Sequence, residues 1–239
     1  MEYKKIIIGG LEKNAEKNIL IFSPHADDEV LGCGGMIKKN SRKGYCIHLV
    51  VFGMGGLQHR HLDYESTLTD RLQELKSAAG IFGIKKITII FPGFDMRLDT
   101  IPQLNLVSEI DDILDQNPYQ EIYLPVKSHN HDHNRVHTAA IASLRPGAHR
   151  YKPDLIAMYE SPYTNWIPPV DNSFHGKMYI NIAENIEAKK QALLCYQSQI
   201  RPFPHPISTE AIQLRAKFRG MEAECKFAEF FILVKQIVH

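Results

Sequence analysis

Two short segments of the chain concentrate residue types that bind metal ions and transfer protons. Positions 24–29 read Pro-His-Ala-Asp-Asp-Glu, and positions 129–133 read His-Asn-His-Asp-His. Imidazole nitrogen and carboxylate oxygen are ligands of a catalytic zinc ion, which keeps one position open for water. Together, the two segments indicate a metal-dependent reaction.

The first segment follows an apolar run and opens a stretch with helical spacing. His25 would leave the end of a strand while Asp28 projects from the first helical turn, so both could reach one ion. Alternatively, residues 27–29 are ordinary first-turn acids, which the free amides of a helix N-terminus attract. His25 would then be a hydrogen-bonded turn residue, and the segment alone does not decide between the two interpretations.

Three glycines follow closely, at Gly32, Gly34 and Gly35. Each weakens a helix by up to about 1 kcal/mol relative to alanine. Their presence so early in a helix predicts that this stretch of backbone packs closely against a neighbour or a ligand.

In the second segment, His133 could supply a third ligand and complete a two-histidine, one-aspartate site. Without a metal, Asp132 would serve as a helix N-cap. A histidine run on its own is more often a solvated turn. The interpretation as a metal site therefore depends on both segments lying at the same edge of the fold.

The elements around these segments predict an α/β protein. Nearly continuous apolar runs, typical of strands covered on both faces, alternate with amphipathic stretches. The predicted strands are 18–23, 46–52, 86–91, 121–126 and 155–159, and the predicted helices are 31–43, 68–82, 104–116 and 134–144. This alternation predicts a mostly parallel sheet with right-handed crossovers, whose ligands bind at the carboxyl ends of the strands. Both segments follow such ends.

The rest of the chain predicts one more strand at 178–182, helices at 184–197 and 208–221, and an apolar tail at 227–238. We find no linker, and expect a single domain over residues 1–239.

Composition narrows the class of protein. A net charge of +1 gives no indication of a nucleic-acid partner. The four cysteines form no CxxC pair, which favours reduced thiols over a disulfide framework. We see neither a signal peptide nor a membrane span, so a cytoplasmic location is expected. The oligomeric state, a homo-oligomer included, stays open.

The two segments also carry a resemblance to a known family. PHADDEVLGCGG and HDHNRVHTAA resemble the paired motifs of the LmbE-like (PIG-L) family of N-acetylglucosaminyl deacetylases. The similarity continues through IPQLNLVSEI, ALLCYQSQIRPFPHP and AEFF, over most of the chain. It implies a Rossmann-like three-layer sandwich with helices on both faces of the sheet. It also implies removal of an N-acetyl group from an N-acetylglucosamine-type sugar or conjugate, a small-molecule partner.

The resemblance implies roles for individual residues. Zinc would be held by His25, Asp28 and His133, although such ligands also accept Fe²⁺, Co²⁺ and Mn²⁺. Asp27, beside a ligand, would be the general base that takes a proton from water. Asp132 would orient a neighbouring histidine and adjust the charge on its ring.

The sequence departs from the family pattern at Asn130, where many members carry a histidine. An amide can donate a hydrogen bond to an oxyanion but cannot deliver a proton. The proton must come from His129, from His131 or from a residue of the later half of the chain.

Arg71 and Asp95 match family positions that hold sugar hydroxyls, with Arg97 and Asp99 as competitors for the role of Asp95. The alternatives are a surface helix charge for Arg71 and a turn residue for Asp95. Tyr163 and Trp166 are further candidates, for one wall of the pocket. Arg201 and Arg219 are candidates for binding a phosphate group.

Three functions fit these observations: the sugar deacetylase, a metal-dependent hydrolase of another N-acylated amine, and a non-catalytic metal-binding or sugar-sensing protein. Asp27 favours catalysis, because a protein that only binds metal needs no free carboxylate beside its ligands.

Overall fold

The structure is a computed structural model that describes residues 4–12, 15–56, 58–59, 64–162 and 176–239. Within these residues the chain forms ten strands and six helices. The strands are β1 Ile6–Gly9, β2 Asn18–Ser23, β3 Cys46–Met54, β4 Gln58–His59, β5 Tyr64–Glu65, β6 Lys86–Pro92, β7 Glu121–Pro125, β8 Leu155–Tyr159, β9 Gly176–Asn181 and β10 Ala228–Gln236. The helices are α1 Asp28–Ser41, α2 Leu68–Phe82, α3 Gln103–Gln116, α4 His131–Ser143, α5 Ile186–Leu194 and α6 Thr209–Glu222.

Eight of these strands form one open sheet in the order β1-β6-β3-β2-β7-β8-β10-β9. The five central strands, β6 to β8 in that order, are parallel to one another. They are the five strands that the apolar runs predicted, so the α/β class and the mostly parallel sheet are confirmed. The outer strands β1, β10 and β9 pair antiparallel.

Helices cover both faces of the sheet, as the alternation along β2 illustrates. Ile19 and Ile21 join a buried cluster with residues of α1, α2 and α5. Leu20 and Phe22 join a second cluster with residues of α3 and α4. Because all four side chains are inaccessible to water, each contributes about 1.5–3 kcal/mol of hydrophobic free energy.

The glycines of α1 allow the helix to approach its neighbours closely. A Cβ on Gly32 would lie 2.1 Å from the ring of Tyr159 in β8. A Cβ on Gly34 would meet the side chain of Phe82 at 2.7 Å, and one on Gly35 would meet Ile182 at the same distance. The prediction of close packing is confirmed, with neighbouring side chains as the reason.

A break in α1 at Cys33, where φ is −141°, is held by a buried ion pair. The Glu229 carboxylate accepts hydrogen bonds from the backbone amides of Gly35 and Met36, both at 2.8 Å. Lys189 Nζ donates to Glu229 at 2.6 Å and to the carbonyl oxygen of Leu31 at 3.1 Å. Backbone groups that the break frees are thereby satisfied.

Several boundaries differ from the sequence predictions. Helix α2 spans the predicted residues, because a capping box at Thr67 and a left-handed Gly83 define its ends. Helices α1 and α4 begin three residues before the predicted starts at 31 and 134, so chemically important residues lie in their first turns. Among the described helices, none combines the length and apolar character that a membrane span requires.

Candidate metal centre

The two segments lie side by side because β2 and β7, which precede them, are adjacent parallel strands. A cavity of about 410 Å³ opens at the carboxyl ends of these strands. Nine of the residues that the sequence analysis singled out line it: His25, Asp27, Asp28, Arg71, Asp95, His129, Asn130, His131 and His133. Asp132 does not line it and is fully buried.

The backbone at Asp27 is strained, with φ of 130° between the end of β2 and the start of α1. Such a conformation costs a residue other than glycine about 1–3 kcal/mol. The turn is held by Glu29, whose Oε2 accepts a hydrogen bond from the Asp27 amide at 3.0 Å. Tyr196 donates its hydroxyl proton to Glu29 Oε1 at 2.5 Å. A buried network thus fixes the conformation in which Asp27 lines the cavity.

Three side-chain donors converge beside Asp27. Asp28 Oδ2 lies 3.4 Å from His25 Nδ1 and 3.2 Å from His133 Nε2. Ligands bound to zinc at about 2.0–2.1 Å in a tetrahedron are separated by about 3.3–3.4 Å. The donor types, their separations and their burial therefore fit one divalent ion. The first-turn acids are more than surface charges, since Asp28 is only 4% exposed.

The second nitrogen of His25 contacts Asp132. His25 Nε2 lies 3.0 Å from Asp132 Oδ2. The other oxygen, Asp132 Oδ1, accepts a hydrogen bond from the Leu98 amide at 3.0 Å. This arrangement directs Nδ1 of His25 to the other donors, as a buried carboxylate does for a metal-binding histidine.

The N-cap of α4 is Asn130, so the alternative in which Asp132 caps the helix is wrong. Asn130 Oδ1 accepts hydrogen bonds from the amides of Asp132 at 2.9 Å and His133 at 3.5 Å. Asp132 instead enters the first turn, where its side chain reaches His25. The Asn130 side-chain nitrogen, Nδ2, donates a weak hydrogen bond to Met96 Sδ at 3.7 Å.

The remaining histidines of the segment lie at the exposed rim. His131 Nε2 is 3.2 Å from Asp132 Oδ1 and 3.3 Å from the carbonyl oxygen of Met96. His129 is exposed and also lines the cavity. Both side chains are therefore accessible to solvent at the cavity.

Burial and neighbouring charges perturb the buried carboxyls. Burial, with the adjacent charge of Asp28, raises the pKa of Asp27 well above its ordinary value, although Arg71 opposes this. Burial alone would also raise the pKa of Asp28, but His133 and His25 hold it below its usual range. Opposite pKa shifts in adjacent carboxyls suit different roles.

Arg71 is buried, at 1% exposure, so the alternative that it is a surface helix charge is wrong. Its Nη2 donates to the carbonyl oxygen of Ala26 at 2.5 Å, and its Nη1 donates to Glu74 and Ser198 at 2.8 and 3.0 Å. Its Nε is buried without a hydrogen-bond acceptor among the described residues. Arg71 therefore braces the backbone before Asp27 as well as lining the cavity.

Asp95 lies in the cavity wall, whereas its competitors Arg97 and Asp99 are exposed and do not line it. Its Oδ2 is buried and has no hydrogen-bond donor among the described residues. Burial raises the pKa of Asp95, while His25 and Arg71 lower it. Asp95 Oδ2 is thus a buried hydrogen-bond acceptor whose capacity is unused among the described residues.

Sequence reasoning gave no role to several other lining residues, notably Ser161, Gln199 and Ile207. Gln199 belongs to the ALLCYQSQIRPFPHP stretch, whose resemblance to the family was the available signal. Tyr163 and Trp166, candidates for the pocket wall, lie outside the described residues.

The phosphate interpretation of two arginines is not supported. Arg219 forms hydrogen bonds with both oxygens of Glu160, at 3.0 and 2.6 Å, and with Glu222 at 2.7 Å. Arg201 Nη1 donates to the carbonyl oxygen of Gln199 at 2.6 Å. These guanidinium groups are occupied by partners within the protein.

Comparison with known proteins adds a family match. The model of the PIG-L family, described as GlcNAc-PI de-N-acetylase, matches residues 20–144. This stretch contains both segments, most of β2, and the parallel strands β3, β6 and β7.

Three solved structures share the fold. N,N'-diacetylchitobiose deacetylase from Pyrococcus horikoshii, complexed with its inhibitor MPG, has 23% identity and a TM-score of 0.71, covering 93% of this chain and 85% of its own. The zinc inhibited form of teicoplanin deacetylase Orf2 has 16% identity and a TM-score of 0.69, covering 90% and 97%. GalB, the 4-carboxy-2-hydroxymuconate hydratase from Pseudomonas putida, has 19% identity and a TM-score of 0.71, covering 93% and 98%.

Proposed function

The chain belongs to the PIG-L family, and from this premise we propose that it is a zinc-dependent hydrolase that removes the N-acetyl group from an N-acetylglucosamine-type sugar or conjugate. The observation that carries the proposal is the strained, buried Asp27 beside three converging metal donors in one cavity. Backbone strain of this kind concentrates at active sites.

His25, Asp28 and His133 would hold the metal, in agreement with the separations of their donor atoms. A divalent ion there supplies a Lewis acid that activates water and polarises an amide carbonyl. Asp132 keeps the His25 ring oriented through Nε2 and offsets part of the positive charge.

Asp27 is the general base in this proposal. Its carboxylate accepts the proton of the attacking water, while the Glu29 and Arg71 contacts hold the turn in place. Its pKa, raised by burial, suits a base that must later release that proton.

The tetrahedral intermediate and the departing amine need donors at the rim of the cavity. The Asn130 amide can donate a hydrogen bond to the oxyanion, as such groups do in other amide hydrolases. His131 and His129 are the two candidates for the proton that the amine requires. We assign proton donation to this pair, and substitution of each histidine in turn would show which of them acts.

Asp95 and Arg71 would recognise sugar hydroxyls. Asp95 Oδ2 would accept a hydrogen bond from a sugar hydroxyl, and Arg71 Nε, a buried N–H without an acceptor among the described residues, would donate one. A cavity of about 410 Å³ lies within the usual range for small-molecule sites.

A second candidate is hydrolysis of a different N-acylated amine at the same centre. The relatives of this fold include a teicoplanin deacetylase and a hydratase, so the fold itself does not select the substrate. Only the cavity wall would differ, and the metal donors would be retained.

The test is acetate release from N-acetylglucosamine, its phosphates, its nucleotide-linked forms and N,N'-diacetylchitobiose. Protein of measured zinc content is compared with the same protein after chelation and after zinc is restored. Zinc-dependent release supports the proposal and ranks the substrates. Absence of acetate from all of them, with one equivalent of zinc bound, would transfer support to the second candidate.

A further inference from the structure

Asp132 has a second histidine neighbour on the side away from His25. Its Oδ1 lies 3.2 Å from His131 Nε2, and Asp99 Oδ1 lies 3.9 Å from the same nitrogen. We call His131, Asp132 and Asp99 the outer cluster. Its three donor atoms all lie within 4.8 Å of one another, as those of His25, Asp28 and His133 do.

We propose that the outer cluster is a second divalent-cation site, weaker than the first, and that its occupation slows the reaction. The second half of this statement rests on the proposed function, while the binding itself does not. Zinc is the natural probe because the cluster offers one imidazole nitrogen and two carboxylate oxygens.

The backbone carbonyl of Met96 places one more oxygen beside His131. Its carbonyl oxygen lies 3.3 Å from His131 Nε2, and Met96 has a left-handed conformation with φ of 55°. The distances from His131 Nε2 to Asp132 Oδ1 and to the Met96 oxygen, 3.2 and 3.3 Å, are close to the separation of two ligands bound to one zinc ion. The longest distance, to Asp99, involves a side chain that is 60% exposed, so a change of rotamer can shorten it.

Exposure explains why this site would be the weaker of the two. Half of the His131 side chain is accessible to water, compared with 7% for His133. An ion there would keep more of its water, and flexible ligands must be ordered to bind it. We expect the outer cluster to fill only after the buried donors are occupied.

The shared carboxylate couples the two sites. A cation at Asp132 Oδ1 withdraws negative charge from Oδ2, which faces His25 Nε2 at 3.0 Å. His25 would then be a poorer donor to the first ion. The same cation would occupy His131 Nε2 and remove one of the two candidate proton donors. Both effects lower the rate.

The simpler alternative is that His131 only donates a hydrogen bond to Asp132 or to the Met96 carbonyl. Under this alternative Asp99 contributes nothing to metal binding. Zinc counting on the full-length protein separates the two, because Asp99→Asn removes one ligand without touching the hydrogen bond.

The first experiment dialyses zinc-loaded protein against a series of buffered free-zinc concentrations and measures bound zinc by mass spectrometry. Asp112→Asn is the matched control, since it removes the same charge from an exposed position on α3. We expect two equivalents in wild type and Asp112→Asn, and one in Asp99→Asn and His131→Gln. One equivalent in wild type, or two in Asp99→Asn, overturns the site.

The second experiment follows acetate release at the same zinc concentrations. Filling the outer cluster should lower the wild-type rate about tenfold, the scale on which contacts to ligating residues act, whereas Asp99→Asn should keep its rate. Equal inhibition of Asp99→Asn would overturn the regulatory part. If no substrate releases acetate, the proposed function fails, and the zinc counts still decide whether the second site exists.

Discussion

Asp132 Oδ2 lies 3.0 Å from His25 Nε2, across the boundary between two segments that are 107 residues apart in the chain. The second segment therefore orients a residue of the first, in addition to supplying His133. The Asp132 side chain is fully buried, and the Leu98 backbone amide, which donates to Oδ1 at 3.0 Å, helps to hold it in place.

Asp132→Asn should weaken zinc binding by about 10–100-fold, the usual effect of removing a carboxylate that orients a ligating histidine. The asparagine side chain keeps the shape of aspartate and can still accept the hydrogen bond from the Leu98 backbone amide, but it carries no negative charge. Competition with a chromophoric chelator measures the affinity, and Asp112→Asn is the surface control. Wild-type affinity in Asp132→Asn would mean that the His25 ring is held by other contacts.

Asp27→Asn should retain zinc and lose activity by about 10²–10⁴-fold, the contribution of general base catalysis. Asparagine has nearly the shape of aspartate and keeps the backbone amide that donates to Glu29, so we expect the turn at φ 130° to be preserved. Zinc content and the rate of acetate release are measured on the same sample. Near-normal turnover would remove Asp27 from the role of base.

His133→Ala should lose bound zinc while the protein stays folded, because the substitution removes one ligand of the ion. His137→Ala is the matched control, because His137 lies one turn later on α4 and contacts the carbonyl oxygen of Pro125 instead. Zinc per chain, measured after gel filtration, should fall towards zero only in His133→Ala. Equal zinc content in the two variants would exclude His133 from the ligands.

The sequence predicts the central sheet well because each of its five parallel strands is a nearly continuous apolar run. It does not predict β1, whose Ile6–Gly9 run is too short to stand out, or the pairing of β10 between β8 and β9. Strand order depends on contacts between distant parts of the chain, which periodicity along the sequence does not contain.

The candidate site, like the fold, could be predicted from the sequence only in part. The types and spacing of His25, Asp28 and His133 suffice to suggest that they converge. The role of Asn130 as N-cap could not be chosen over Asp132, because both residue types are good caps and only the packing of Asp132 against His25 decides. Glu29 looked like an ordinary first-turn acid, yet it holds the Asp27 amide.

Gly32→Ala should destabilise the protein by about 1–3 kcal/mol, the usual cost of overpacking a core. The added Cβ would lie 2.1 Å from the Tyr159 ring. Gly80→Ala, within α2, is the control, since nothing lies within 4 Å of its added Cβ. It should raise stability by about 0.5–1 kcal/mol. Urea denaturation measures both, and equal stabilities would contradict the close contact.

His48 should make stability depend on pH. Burial lowers its pKa well below the ordinary value of 6.5, and its ring nitrogens contact Tyr119 and Thr88 at 2.6 and 2.9 Å. Below pH 6.5 the unfolded chain binds a proton that the folded chain excludes, so the contribution is complete above that pH and is lost as the pH falls. Between pH 7.5 and 5.5 wild type should lose about 1 kcal/mol more unfolding free energy than His48→Gln. Parallel pH profiles from urea denaturation would show that His48 titrates normally in the folded state.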